Sequence, residues 1–108
     1  MKSLLLAAAL IGLSCTLGRG EDAKSIYQRE CAKCHGADGK GDTKMGRSSG
    51  AKDYTDPRVQ AAMKDEKAFR SIKDGLTEGD KILMKPAADL SNGQIRKLVA
   101  YMRGFIKG

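Results

Sequence analysis

The feature that most constrains this chain is the run Cys31-Ala32-Lys33-Cys34-His35, which contains the only histidine in the sequence. It has the form C-x-x-C-H, the attachment signal for a c-type haem. Two thiols three positions apart on a helical turn can each reach one vinyl group of the same porphyrin. The histidine beside the second thiol is then held against the iron. Competing uses of C-x-x-C lack their other parts. A structural zinc site needs four ligands, and past residue 20 the chain has only Cys31, Cys34 and His35 of the Cys/His kind. A thioredoxin-type redox pair expects strands in a βαβ pattern, and no convincing alternating strand is visible. A single histidine also limits the chain to one haem of this kind and forbids bis-histidine ligation within one chain. The sixth iron position is left to a methionine, a lysine, water or nothing.

The N-terminus agrees with such a cofactor. Lys2 precedes an almost wholly apolar stretch, Ser3 to Leu13, and Gly18-Arg19-Gly20 offers a small-x-small cleavage site before Glu21. This pattern is that of a signal peptide, and it is short for a permanent span. Residues 1–20 are therefore expected to be a signal peptide and residues 21–108 one mature domain in the periplasm, where haem attachment takes place. Cys15 follows the apolar run and is the one candidate for lipid anchoring, although Gly12 stands where a lipoprotein signal usually has a branched apolar residue.

Losing Lys2 and Arg19 takes the formal charge from +7 to +5. A basic balance suits nucleic acid, an anionic membrane or an acidic protein. Export and the scatter of the lysines argue against nucleic acid. The mature segment has no tryptophan and no disulfide framework, so a chain this small needs something else to fill its centre. One covalent haem c would do so.

Helical periodicity dominates the rest. The sequence predicts a first helix from Asp22, its N-cap, to Lys33. A glycine- and aspartate-rich loop follows, from Gly36 on to about Tyr54. Asp56-Pro57 opens a short helix as N-cap and first position. Asp65 is expected to cap another, which Gly75 ends. An irregular stretch, Leu76 to Leu90, carries Met84 and Pro86. In the last helix Ser91 and Gln94 form a capping box, Leu90 and Ile95 a hydrophobic staple, and Ile95, Leu98, Val99, Met102, Phe105 and Ile106 an apolar stripe. The fold class is all-α: helix, loop, two short helices, loop, long helix.

Four methionines past the leader compete for the sixth iron position. Met102 lies on the apolar stripe and Met63 at a helix end, so both read as packing. Met45 is only ten positions past His35, a short path to the other haem face. Met84 sits in a loop between helices, stiffened by Pro86 and with room to cross, and loops on rigid scaffolds are where functional residues concentrate. The residues expected to bind the cofactor are thus Cys31 and Cys34 as covalent attachments and His35 and Met84 as axial ligands.

With Tyr27 four before Cys31, Gly36, the Asp38-Gly39-Lys40-Gly41 loop, Met84 with Pro86, and Leu90-Ser91 leading to Leu98-Val99-Ala100-Tyr101, the chain resembles a small class I c-type cytochrome of the bacterial monohaem kind, similar to cytochromes c6 and c553. The resemblance covers the whole mature segment. It implies the cytochrome c fold, in which the first and last helices cross, with Ala23 against Tyr101, and the remaining elements wrap one covalent haem. It also implies a monomeric electron carrier rather than an enzyme, with no stable membrane insertion. Many relatives have proline directly after the ligand methionine; here Lys85 intervenes.

The function expected is a periplasmic shuttle of single electrons between redox proteins. Lys33, Lys40, Lys44, Lys81 and Lys85 lie in segments near the haem and would steer a partner with an acidic docking surface. Two other readings stay open at this point: an open-iron haem protein for gas sensing or peroxide reduction, and a tethered haem subunit of a membrane complex.

Overall fold

A computed structural model of the chain describes residues 21–106. The signal peptide expected at residues 1–20, with Cys15, lies outside the described residues. The elements in order are α1 (Ala23–Glu30), α2 (Ala32–His35), α3 (Lys44–Ser49), α4 (Pro57–Ala62), α5 (Asp65–Asp74), β1 (Leu76–Glu78), β2 (Lys81–Met84) and α6 (Asn92–Arg103). Among the described residues no helix is long and apolar enough to cross a membrane.

The caps lie largely where the sequence put them. The Asp22 carboxylate accepts from the Ser25 N–H at 2.9 Å and starts α1. Asp56 caps α4 with Pro57 in its first turn. Asp65, expected as a cap, is instead the first residue of α5, after Lys64, which makes no side-chain cap bond. Ser91 and Gln94 complete a reciprocal capping box at α6. The long first helix expected from Asp22 to Lys33 is broken at Cys31, whose φ of −117° makes a turn between α1 and α2.

Two further expectations need correction. First, the fold is mostly helical as expected but carries one small sheet in the stretch read as irregular, where β1 and β2 form an antiparallel hairpin with Glu78 opposite Lys81 and Thr77 opposite Ile82. Its two-residue connection is Gly79-Asp80, with Gly79 at φ +61°, the arrangement that glycine at the first central position favours. Second, α3 lies inside the segment read as loop. The Thr43 hydroxyl accepts from the Gly46 N–H at 2.8 Å to start it, and Gly50, in the left-handed conformation, ends it.

The core is supplied by three helices. Ile26 and Tyr27 come from α1, Phe69 and Ile72 from α5, and Ile95, Leu98, Val99 and Met102 from α6. Full burial of such a side chain is worth roughly 1.5–3 kcal/mol. Helix α6 packs against both α1 and α5. At the α1–α6 contact Tyr27 meets Tyr101 and Phe105 with ring centroids 5.2 Å away in each case. The apolar stripe expected on α6 stops early: the helix ends at Arg103 and Ile106 is exposed.

A polar brace ties the segment before α4 to the end of α6. Buried Gln60 donates to the Tyr54 and Met102 carbonyls at 2.7 and 2.9 Å. Arg103 donates to the Gln60 and Met63 carbonyls and pairs with Asp65. These hydrogen bonds add to the packing of Tyr54 and Met63 against the core.

Candidate haem site

Cys31 and Cys34 are free, half-buried thiols on successive turns of the α1–α2 segment. Burial, then the nearby Glu30 and Cys34, push the Cys31 thiol up to about 11. That is the opposite of the depressed thiol a redox-active C-x-x-C uses. Among the described residues no group of three or more His, Cys, Asp or Glu side chains could hold a metal ion, so a zinc site has no structural support either.

His35 ends α2 half-buried, and burial lowers its pKa from the ordinary histidine value. The imidazole is therefore neutral at neutral pH, as a metal ligand must be. Its Nδ1 is sealed from solvent without a hydrogen-bond partner, which leaves Nε2 as the nitrogen open to a ligand. The ring lies beside Tyr54, with centroids 5.6 Å apart and planes tilted by 37°. Tyr54 is set there by its N–H donating to the Gly39 carbonyl at 2.8 Å and by the Gln60 brace.

The backbone around His35 is held at three consecutive carbonyls. Cys34 O accepts from the Thr43 hydroxyl at 2.8 Å. His35 O accepts from the Gly41 N–H at 2.7 Å. Gly36 O accepts from the Tyr27 hydroxyl, also at 2.7 Å. Helix α3 lies so close on this segment that a Cβ on Gly46 would stand 2.2 Å from Cys34 O.

Met84 closes β2, half-buried and packed against the same core cluster as Cys31 and Tyr54. Gly75, at φ +83°, makes room for it, since a Cβ there would come within 2.7 Å of Met84 O and 3.0 Å of Pro86. The Ala87 N–H donates to Ile72 O at 2.9 Å and anchors the far end of the loop on α5. Lys81 reaches across to donate to Ser48 O at 3.0 Å, so the hairpin leans on the end of α3.

The other methionines sort by position. Met102 is core. Met63 caps α4 and packs at the core edge. Met45 is exposed on α3, the helix packed on the attachment segment itself. All five lysines named from the sequence are exposed. Thr43, Tyr54 and Gln60 were not singled out as site residues from the sequence, and no spacing signal marks Tyr54 or Gln60. Thr43, three before a glycine, carries a weak N-cap signal.

Comparison with known proteins agrees with this geometry. The family model described as cytochrome C oxidase, cbb3-type, subunit III matches residues 18–102. Among solved structures, the KustC0563 c-type cytochrome is similar at 32% identity with a TM-score of 0.71, covering 81% of this chain and 100% of its own. A point mutant of the same protein gives 30% identity and a TM-score of 0.68, covering 79% and 99%. None of the curated proteins compared matches the chain.

Proposed function

Because this chain belongs to the c-type cytochromes, in the family described as cytochrome C oxidase, cbb3-type, subunit III, we propose that it is an exported electron carrier holding one haem. Cys31 and Cys34 attach the haem covalently. His35 and Met84 ligate its iron. The observation that carries this reading is the pair of free thiols Cys31 and Cys34 leading into a half-buried, neutral His35 whose Nδ1 has no protein partner and whose ring lies beside Tyr54.

The residues fit the group chemically. Two free thiols suit addition across two vinyl groups, and a neutral imidazole suits iron. When bound, the haem would supply one-electron redox chemistry, and ligation by the Met84 thioether would raise its reduction potential. The chain supplies the rest. Its core packs behind the site, Tyr54 sets the imidazole, and Gly75 and the Ala87–Ile72 bond hold the methionine loop. Met84 is favoured over Met45 because Met45 is exposed on α3, which packs on the attachment segment itself, whereas Met84 is half-buried against the core.

Within the c-type cytochromes we place the chain with the short monohaem kind similar to cytochromes c6 and c553, as a monomeric periplasmic shuttle and not an enzyme, made of residues 21–108 after removal of residues 1–20. Exposed Lys33, Lys40, Lys44, Lys81 and Lys85 would steer an acidic redox partner, so the partner reaction should slow as salt is added. The family description favours a second reading, a haem subunit tethered to a membrane oxidase, with Cys15 as the lipid site.

The test is the visible spectrum of the haem-loaded protein, oxidised and reduced, beside Met84→Ala. A low-spin wild type with the weak long-wavelength iron–thioether band, lost on substitution, is the expected result. A high-spin wild type that binds carbon monoxide at once would overturn it in favour of an open iron. Lipid on Cys15 and retention in the membrane fraction would replace the soluble shuttle with the tethered subunit.

A further inference from the structure

We infer that Thr43 is a positioning residue for His35, acting through the Cys34 carbonyl. This rests on the haem reading above. The peptide plane that enters His35 carries Cys34 O, and the plane that leaves it carries His35 O. The first is held by the Thr43 hydroxyl at 2.8 Å and the second by the Gly41 N–H at 2.7 Å. With both flanking planes fixed, the direction in which the imidazole leaves the backbone is fixed as well.

The contact answers a local need. Helix α2 ends at His35, so the carbonyls of its last turn lack the usual partners further along the helix. Thr43 meets one of them with the same oxygen that caps α3, since Oγ1 also accepts from the Gly46 N–H at 2.8 Å. One hydroxyl thus donates to the attachment segment and accepts from the helix laid against it. Gly46 permits this approach, because any side chain there would collide with Cys34 O.

The clamp matters more here than at most ligand histidines. A metal-bound histidine is ordinarily oriented by a hydrogen bond from its other ring nitrogen to a carboxylate, carbonyl or water. Among the described residues Nδ1 of His35 has no such partner. Orientation therefore falls to the two pinned peptide planes and to the tilted Tyr54 ring. Small errors in a supporting group are enough to degrade a site of this kind.

Three variants of the haem-loaded protein test the inference. Thr43→Val keeps the shape and removes both bonds. Thr43→Ser keeps both. Thr43→Gly removes the hydroxyl, and with it the donor to Cys34 O, at a helix start where glycine is well tolerated. The readouts are the reduction potential and the paramagnetically shifted haem-methyl resonances, which follow the orientation of the axial imidazole. Thr43→Val and Thr43→Gly should both move these readouts away from wild type, Thr43→Gly with little loss of stability, and Thr43→Ser should restore them. If Thr43→Val fails to mature, Thr43→Gly decides alone. Wild-type potential and resonances in haem-loaded Thr43→Gly would overturn the positioning role. Failure of the wild type to retain haem after denaturation would instead overturn the parent reading.

Discussion

The two sides of the proposed haem site are built on opposite principles. The attachment side is a short, closed arrangement: three consecutive carbonyls, of Cys34, His35 and Gly36, are each held by a different part of the chain, and α3 lies directly on them. The methionine side is a hairpin whose strand residues are exposed except for Leu83 and Met84. It is tied down only at its ends, by the Gly75 contact and the Ala87–Ile72 bond, and by Lys81 reaching to Ser48. Regions with few buried contacts and exposed backbone open most easily. The histidine ligand should therefore be the permanent one and the methionine the one that yields.

Removing the thiols has the largest expected effect. In a Cys31→Ala/Cys34→Ala protein all covalent haem should be lost, seen as a chain of haem-free mass after acid denaturation. Retention of covalent haem would place the attachment elsewhere. Met84→Ala should come next: haem stays covalently bound, the reduction potential falls, and carbon monoxide binds at a site the wild type keeps closed. Gly46→Ala probes the rigid side. Its added Cβ meets the Cys34 carbonyl, a backbone atom, and overpacking of this kind costs about 1–3 kcal/mol, here expected near 3. Denaturant unfolding of the haem-loaded variant measures it, and a loss below about 1 kcal/mol would mean that α3 can move off the segment.

On both sides the residues with a sequence signal stood out, and the elements that support them did not. Cys31, Cys34 and His35 declare themselves by spacing alone, and Asp22, Asp56, Ser91 and Gln94 declare helix starts because each satisfies a known unpaired donor. The core positions of α6 followed from periodicity. The hairpin was missed although Gly79-Asp80 between Thr77 and Ile82 is a hairpin signal, because Leu76 to Met84 lacks the clean alternation of a half-buried strand. Helix α3 was missed because a six-residue helix with a glycine inside it has almost no periodic signal. Its start is fixed by Thr43, and its reason for existing is a contact with Cys34 nine positions back. Tyr54 and Gln60 were invisible for a plainer reason. Their roles depend on Gly39, Met102 and Arg103, partners that only the tertiary structure brings near.

Gly75→Ala examines the yielding side with the same chemistry as Gly46→Ala. Gly75 sits at φ +83° and ψ 176°, a region essentially reserved for glycine, where strain costs about 1–3 kcal/mol. The added methyl also meets Met84 O and Pro86. Because most of the hairpin's strand residues are exposed, it should shift rather than resist. The expected loss in unfolding stability is about 1 kcal/mol, smaller than for Gly46→Ala, with faster carbon monoxide entry as the methionine lets go more often. A larger loss than for Gly46→Ala would reverse the contrast between the two sides.

The smallest effect is expected at Ile82, which is 61% exposed on the hairpin. A large apolar side chain there contributes little if it stays exposed, so Ile82→Ser should change stability by no more than about 0.5 kcal/mol and leave the potential unmoved. The measurement sharpens the contrast because it asks whether the hairpin remains open once haem is bound. A loss above about 1 kcal/mol in the haem-loaded protein, absent from the haem-free chain, would show that the cofactor draws the hairpin down and buries Ile82. The methionine side would then be as firmly built as the histidine side, only later, after the haem is in place.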